Sequence, residues 1–259
     1  MENYILITGA SSGIGLEMAE KLAERKYNLI LVARNYERLQ RLKTDLELTY
    51  GVKVTIYQRD LSKVSNAETL FEEVKKNKLH VSHLINNAGI GVYGEFTNTS
   101  LQEELEMIEL NCSSLVVLTK LFAQDMRKKG AGSIMNIASL LSFLPFPYYS
   151  VYSATKAFVL AFSETVNAEL VGSGVQVKAL CPGPIDTKFT TPEMAKTTAY
   201  KVNKPVNSKI VAEEGIDLLF NKKSKKIVGF NNWFISNLPR VTPDFIMMKI
   251  KKNLASQAN

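Results

Sequence analysis

An alternation along the chain constrains its fold more than any other feature. Seven short apolar runs, YILIT (4–8), NLILVA (28–33), VKVTIYQ (52–58), VSHLIN (81–86), GSIMNIA (132–138), VQVKALC (175–181) and KKIVGF (225–230), are separated by longer segments of helical period. Runs so continuously apolar suit strands buried on both faces, and strands that recur at helix-length intervals pair in parallel under a cover of helices. The expectation is an α/β fold in which seven strands form one open sheet. Helices are predicted near 13–25, 35–49, 64–77, 100–129, 150–171 and 208–221, with a bend inside the long 100–129 segment. Ser100 and Glu103 have capping-box spacing, and Gly130 suits a helix stop. Residues 187–208, rich in Thr, Pro and Asn, read as an irregular lid or binding loop too polar for the core.

The first strand runs into TGASSGIG, which sets Gly9, Gly13 and Gly15 between a strand and a helix. So tight a turn needs backbone freedom. A pyrophosphate approaches the chain only where no Cβ intervenes, and the exposed N–H groups of a helix start favour an anion. The spacing is Gly-x3-Gly-x-Gly, which differs from the GxGxxG dinucleotide fingerprint. At the end of the second strand, where an acidic residue would hold a ribose 2′-OH, the chain has Ala33 followed by Arg34, with Arg38 one turn later. That exchange favours NADP(H) over NAD(H).

Interconversion of a carbonyl and an alcohol needs a proton donor beside the developing alkoxide. In YYSVYSATKAF (148–158), only Tyr152 has a lysine four residues on, Lys156, and such a pair shares one helical face. A cation is the direct means of pulling a phenol from its usual pKa of about 10 toward neutrality, a change of about 4 kcal/mol. Ser139, at the end of a predicted strand, can hydrogen-bond a substrate oxygen. Tyr148 and Tyr149 lack the lysine offset and read as pocket lining or packing.

These segments, with RDLS around Asp60, NNAG (86–89) and CPGPIDT (181–187), resemble the short-chain dehydrogenase/reductase family, and the likeness spans residues 1 to about 230. The resemblance implies a single Rossmann-type, doubly wound domain with helices on both faces of a mainly parallel sheet, followed by an extension over 231–259. It implies that Gly9, Ser11, Ser12 and Ile14 contact cofactor phosphates, Asp60 and Leu61 the adenine, Asn87 and Ala88 the neighbouring ribose, and Ile185 and Thr187 the nicotinamide amide. By the same likeness, Tyr152 is the acid/base and Lys156 the pKa modifier and ribose ligand. Ser139 polarises the substrate, Asn111 orders a proton-relay water, and Asn86 braces neighbouring strands. Family members form homodimers or homotetramers through helices corresponding to 100–129 and 150–171.

The expected function is an NADPH-dependent oxidoreductase acting on a moderately apolar carbonyl or alcohol. The alternatives are a 3-oxoacyl-thioester reductase and a non-catalytic NADPH-binding regulator. Charged residues at 22% and hydrophobic ones at 46% are ordinary for a globular protein and argue against disorder. The formal charge of +7 includes runs such as KKSKK (222–226), but no nucleic-acid motif accompanies it. Cys112 and Cys181 read as buried thiols in a reducing compartment, and the apolar start without a basic leader points to the cytoplasm. His80 and His83 read as polar loop residues without the partners a metal would need, so no metal is expected. The C-terminal segment, where Trp233, Phe234 and Met247 mix with lysines, reads first as a helix packed on the body. A subunit contact, a substrate cover and a membrane-touching helix are the other readings.

Overall fold

The computed structural model describes residues 2–186, 191–240 and 242–256. Its strands are β1 (Asn3–Thr8), β2 (Asn28–Ala33), β3 (Val54–Gln58), β4 (His80–Asn86), β5 (Gly132–Ile137), β6 (Val175–Cys181) and β7 (Lys225–Ile227). They form one sheet in the order β3-β2-β1-β4-β5-β6-β7, and every neighbouring pair is parallel. The helices are α1 (Gly13–Glu24), α2 (Tyr36–Tyr50), α3 (Val64–Lys76), α4 (Leu101–Ile108), α5 (Leu115–Lys129), α6 (Ser150–Glu169), α7 (Pro192–Ala195), α8 (Thr198–Val202), α9 (Ser208–Phe220), α10 (Phe230–Asn237) and α11 (Asp244–Ala255).

Successive strand residues point to opposite faces, so the apolar runs feed two cores. Ile5, Ile7, Leu29 and Leu31 pack with α1, α2 and α9, whereas Tyr4, Leu6, Ile30 and Val32 pack with α3 and α5. Each fully buried Leu or Ile contributes on the order of 1.5–3 kcal/mol. The chain lays strands outward from β1 through β2 to β3, then crosses over to β4 and proceeds the other way. This reversal opens a crevice beyond the C-terminal ends of β1 and β4, where doubly wound sheets bind ligands.

All seven expected strands are present, with three differences in detail. β4 begins at His80, so His80 and His83 are strand residues and not loop residues. The His83 ring centroid lies 4.9 Å from that of Phe220, and burial with the nearby Lys178 cation pulls the imidazole down to about 4. The bend foreseen in 100–129 is one π-helical turn, Glu109–Ser114, between α4 and α5; Gly130 ends α5 at φ +71°. The 187–208 segment, expected to be irregular, holds α7 and α8. Thr191 and Thr197 accept hydrogen bonds from the amides of Met194 and Tyr200, and local capping lets helices this short form while Met194 is buried.

Candidate active site

A cavity of about 560 Å³ runs across the C-terminal ends of the central strands. At one end the phosphate-type turn follows β1. Gly9 has φ +67°, and a Cβ there would meet Asn87 Nδ2 at 2.8 Å and the Ala88 Cα at 3.0 Å. Gly13 is also left-handed, at φ +57°. Gly15 does not reach the cavity. Its Cβ position lies 2.5 Å from the Gly9 carbonyl oxygen, so this glycine lets α1 close on the turn. Ser12, at the N-cap of α1, makes no side-chain cap bond, which leaves the first amides of the helix available to an anion.

The turns after β1 and β4 are tied together. The amides of Asn87 and Ala88 each donate to Thr8 Oγ1 at 3.0 Å, and Asn87 Nδ2 donates to the carbonyls of Thr8 and Gly9 at 2.9 and 3.2 Å. Beside them Arg34, Arg38, Arg59, Asp60 and Leu61 line the cavity wall. Arg59 is paired with Glu73, whereas Arg34 and Arg38 have no ion-pair partner among the described residues. Asp60 accepts from the Ser62 amide and hydroxyl through one carboxylate oxygen.

At the other end Ser139, Tyr152 and Lys156 meet. Ser139 caps a 3-10 turn, Leu140–Ser142, in a reciprocal box: its Oγ accepts from the Leu141 amide while its own amide donates to Ser142 Oγ. The Ser142 hydroxyl donates to the Lys156 carbonyl at 2.7 Å, joining this turn to α6. The Ser139 hydroxyl bonds the Tyr152 phenol. Lys156 is buried, with Nζ 2.8 Å from the Ile137 carbonyl and 5.8 Å from the Tyr152 ring centroid. Desolvation pushes Tyr152 up to about 12, opposed by the Ser139 bond, and pulls Lys156 down to about 8. Proximity to lysine was expected to bring the phenol near neutrality. In this structure the cost of charging either buried group is larger than their attraction across that gap.

Asn111 lies in the π turn behind the lysine. Its Nδ2 donates to the Ile90 carbonyl and to Thr155 Oγ1 at 2.9 and 3.1 Å, and its Oδ1 accepts from the Ile90 amide at 3.0 Å. A Cβ on Gly89 would approach both Asn111 Oδ1, at 3.1 Å, and Lys156 Nζ, at 3.5 Å, so these groups share one corner. Asn86 spans to Asn136 and Thr119 as a brace.

Of the residues singled out from sequence, Gly9, Ser11, Ser12, Gly13, Ile14, Arg34, Asp60, Leu61, Asn87, Ala88, Ser139, Tyr152, Lys156 and Ile185 line one cavity. Gly15 and Asn111 stand behind that lining, and Thr187 lies outside the described residues. Tyr149 is a wall residue whose phenol burial raises, and the Tyr148 backbone is left-handed at φ +64°. The apolar walls come from Leu144 and Phe146 in the stretch before Tyr148, from Met194 in the segment expected as a lid, and from Ile235 and Leu254 in the C-terminal segment, for which a substrate cover was one reading; sequence reasoning did not foresee the positioning role of Ser142. The Ser139-x-x-Ser142 spacing was a legible signal for the latter.

A glycine turn at the switch point, and a serine, tyrosine and lysine gathered beyond β5, lie at the two ends of one cavity in a doubly wound α/β protein. The family model described as short chain dehydrogenase matches residues 3–198, and the chain belongs to that family of oxidoreductases. It is 34% identical over 195 residues to human 17-beta-hydroxysteroid dehydrogenase type 3, covering 73% of this chain and 61% of that protein. It is 31% identical over 234 residues to ketoacyl reductase HetN of Nostoc sp., covering 88% of this chain and 78% of the relative. Among solved structures, a short-chain dehydrogenase from Sphingobium yanoikuyae in complex with NADPH superposes with a TM-score of 0.80 at 30% identity, over 92% of this chain and 93% of the other.

Proposed function

We propose that the protein is an NADPH-dependent reductase that interconverts a carbonyl and an alcohol on a moderately apolar substrate, with Tyr152 as the acid/base. The observation that carries this reading is the meeting of Ser139, Tyr152 and Lys156 at one end of a cavity whose other end is a glycine turn flanked by Arg34 and Arg38. The site fits the cofactor. Uncapped α1 amides and the cradle kept open by Gly9 suit a pyrophosphate, the two unpaired arginines suit a 2′-phosphate, and Asp60, Leu61, Asn87, Ala88, Lys156 and Ile185 line the path between. When bound, the nicotinamide supplies or accepts the hydride.

The chain's own residues handle the proton. A phenol pushed up to about 12 holds its proton at neutral pH and gives it to an alkoxide, a stronger base, as carbonyl carbon is reduced. Ser139 bonds the same oxygen and keeps the phenol in line. Lys156, protonated below about pH 8, stabilises the phenolate left behind. Apolar walls from Leu144, Phe146, Ile235 and Leu254 exclude water and select an apolar substrate. Likeness to a ketoacyl reductase favours 3-oxoacyl thioesters as a second substrate class for the same chemistry. Replacing Tyr152 with Phe removes the proton donor and should lower turnover by about 10²–10⁴ while NADPH still binds. An unchanged rate on a substrate turned over by the parent would refute the assignment.

Assembly as a homodimer or homotetramer belongs to the same reading. Leu105 and Ile108 on α4 and Phe158 on α6 are exposed large apolar side chains on the helices expected to form the contact. Both cysteines are free thiols, in keeping with a reducing cytoplasm.

A further inference from the structure

Helix α10 is built inside out. Beside the inward Ile235, its two fully buried residues are the polar Asn232 and Ser236: Asn232 Nδ2 donates to the Val228 carbonyl at 2.7 Å, and its Oδ1 accepts from Asn203 Nδ2 at 2.9 Å. Its outward residues are aromatic, with Phe230 78%, Trp233 52% and Phe234 57% exposed and the Phe230 and Trp233 rings stacked. Helix α11 repeats the pattern in part. Met247 is buried in a cluster with Ile235 and Leu238 from the α10 side, whereas Phe245 and Met248 are 77% and 52% exposed. A water-facing helix normally carries its apolar stripe inward, so an aromatic outer face calls for a cover.

Charge selects the cover. Residues 221–259 hold eight of the chain's 32 basic residues and one of its 25 acidic residues; of the eight, Lys225 and Lys226 are paired with Glu164 and Glu214 and Lys251 is buried, whereas Lys249 and Lys252 are exposed on α11 beside Phe245 and Met248. The first 220 residues hold 24 of each sign. Two copies of this face would set like charges against each other, whereas an anionic bilayer surface complements both the lysines and the aromatic side chains. No helix among the described residues is long and apolar enough to cross a membrane, which leaves attachment in the interface.

We propose that the outer face of α10 and α11 is an interfacial membrane-docking surface for anionic phospholipid. Phe230, Trp233, Phe234, Phe245 and Met248 enter the headgroup boundary while Lys249 and Lys252 meet the phosphates. The same two helices line the cavity through Ile235 and Leu254, so docking sets the bilayer beside the cavity wall. This inference is independent of turnover.

Trp233 is the only tryptophan in the chain and therefore reports on the face directly. The full chain should float with phosphatidylcholine vesicles containing phosphatidylserine and not with phosphatidylcholine alone. Its tryptophan emission should shift to the blue on binding, and added salt should weaken the attachment. The double variant K249E/K252E should bind at least about tenfold more weakly. F234S/M248S should no longer float. Both variants should keep the parental circular dichroism and NADPH affinity, which separates lost docking from a failure of the reductase reading. Unshifted emission with no flotation overturns the proposal. So does a blue shift that appears with rising protein concentration and a doubled mass in the absence of vesicles, which would assign the face to a second copy.

Discussion

Replacing Gly15 with Ala sets two effects of opposite sign against each other. Gly15 is the third residue of α1, and on helix propensity alone alanine would stabilise by up to about 1 kcal/mol. Yet the new methyl would lie 2.5 Å from both the Gly9 carbonyl oxygen and Asn87 Nδ2. Neither can retreat freely, because the turn is held by Asn87 Nδ2, bonded to the Thr8 and Gly9 carbonyls, and by the Ala10 amide bonded to the Val32 carbonyl at 3.2 Å. Overpacking of this kind costs about 1–3 kcal/mol, and parting Asn87 from one of its carbonyls adds about 1 kcal/mol. The net loss is about 2 kcal/mol, which for a domain of this size lowers Tm by about 4–8 °C. Because the strain falls on the turn that would hold the pyrophosphate, NADPH should bind about tenfold or more weakly, an additional loss of about 1.4 kcal/mol. Differential scanning fluorimetry and NADPH fluorescence titration measure the two quantities. A Tm at or above the parent's with unaltered NADPH affinity would mean that helix propensity wins and that the gap between α1 and the β1 turn is slack.

Cofactor choice should rest on Arg34 and Arg38: R34A/R38A should lower kcat/KM with NADPH by about ten- to a hundredfold, the value of one or more charge-assisted hydrogen bonds, and leave NADH nearly unchanged. A constant NADPH-to-NADH ratio would refute this. Buried Lys178, donating to the Leu218 and Asn221 carbonyls at the end of α9, is pulled by desolvation from 10.5 down to about 8. Between those values the unfolded chain holds the proton and the folded chain does not, so this lysine makes stability rise with pH through that window. Urea midpoints at the two ends of the window should therefore rise more in the parent than in K178M, and equal slopes would exclude the effect. Charge placed by F158E on exposed Phe158, which stacks on half-buried Phe162, should reduce a homodimer or homotetramer to smaller species in light scattering, and a parent already monomeric would contradict the expected interface.

Much of the candidate site was readable because the placement of its residues depends on local spacing. Tyr152 and Lys156 share a helical face by virtue of 3.6 residues per turn, and Gly9, Gly13 and Gly15 mark a strand-to-helix turn wherever the strands lie. Asn111 is different. The family likeness singled it out, but its place behind Lys156 comes from a π turn between α4 and α5 and from bonds to Ile90 and Thr155, which local spacing does not set. The walls provided by Ile235 and Leu254 matched only one of several readings of the C-terminal segment, since residues distant in sequence reach the cavity only when α10 and α11 fold back over it.

The same division separates what the chain determined alone from what the folded molecule decided. Apolar periodicity determined seven buried strands and their covering helices, because a strand buried on both faces must be apolar throughout and a covering helix apolar along one stripe. Ala33 and Arg34, standing where an acid would hold a ribose 2′-OH, gave the expectation of NADP(H) by charge alone. Tertiary structure decided the direction in which Tyr152 and Lys156 shift, up for the phenol and down for the ammonium, since desolvation depends on everything that surrounds a group and not on its neighbours in sequence. It also decided which side of α10 faces outward: a polar inner face became affordable only once Val228 and Asn203 were brought to Asn232.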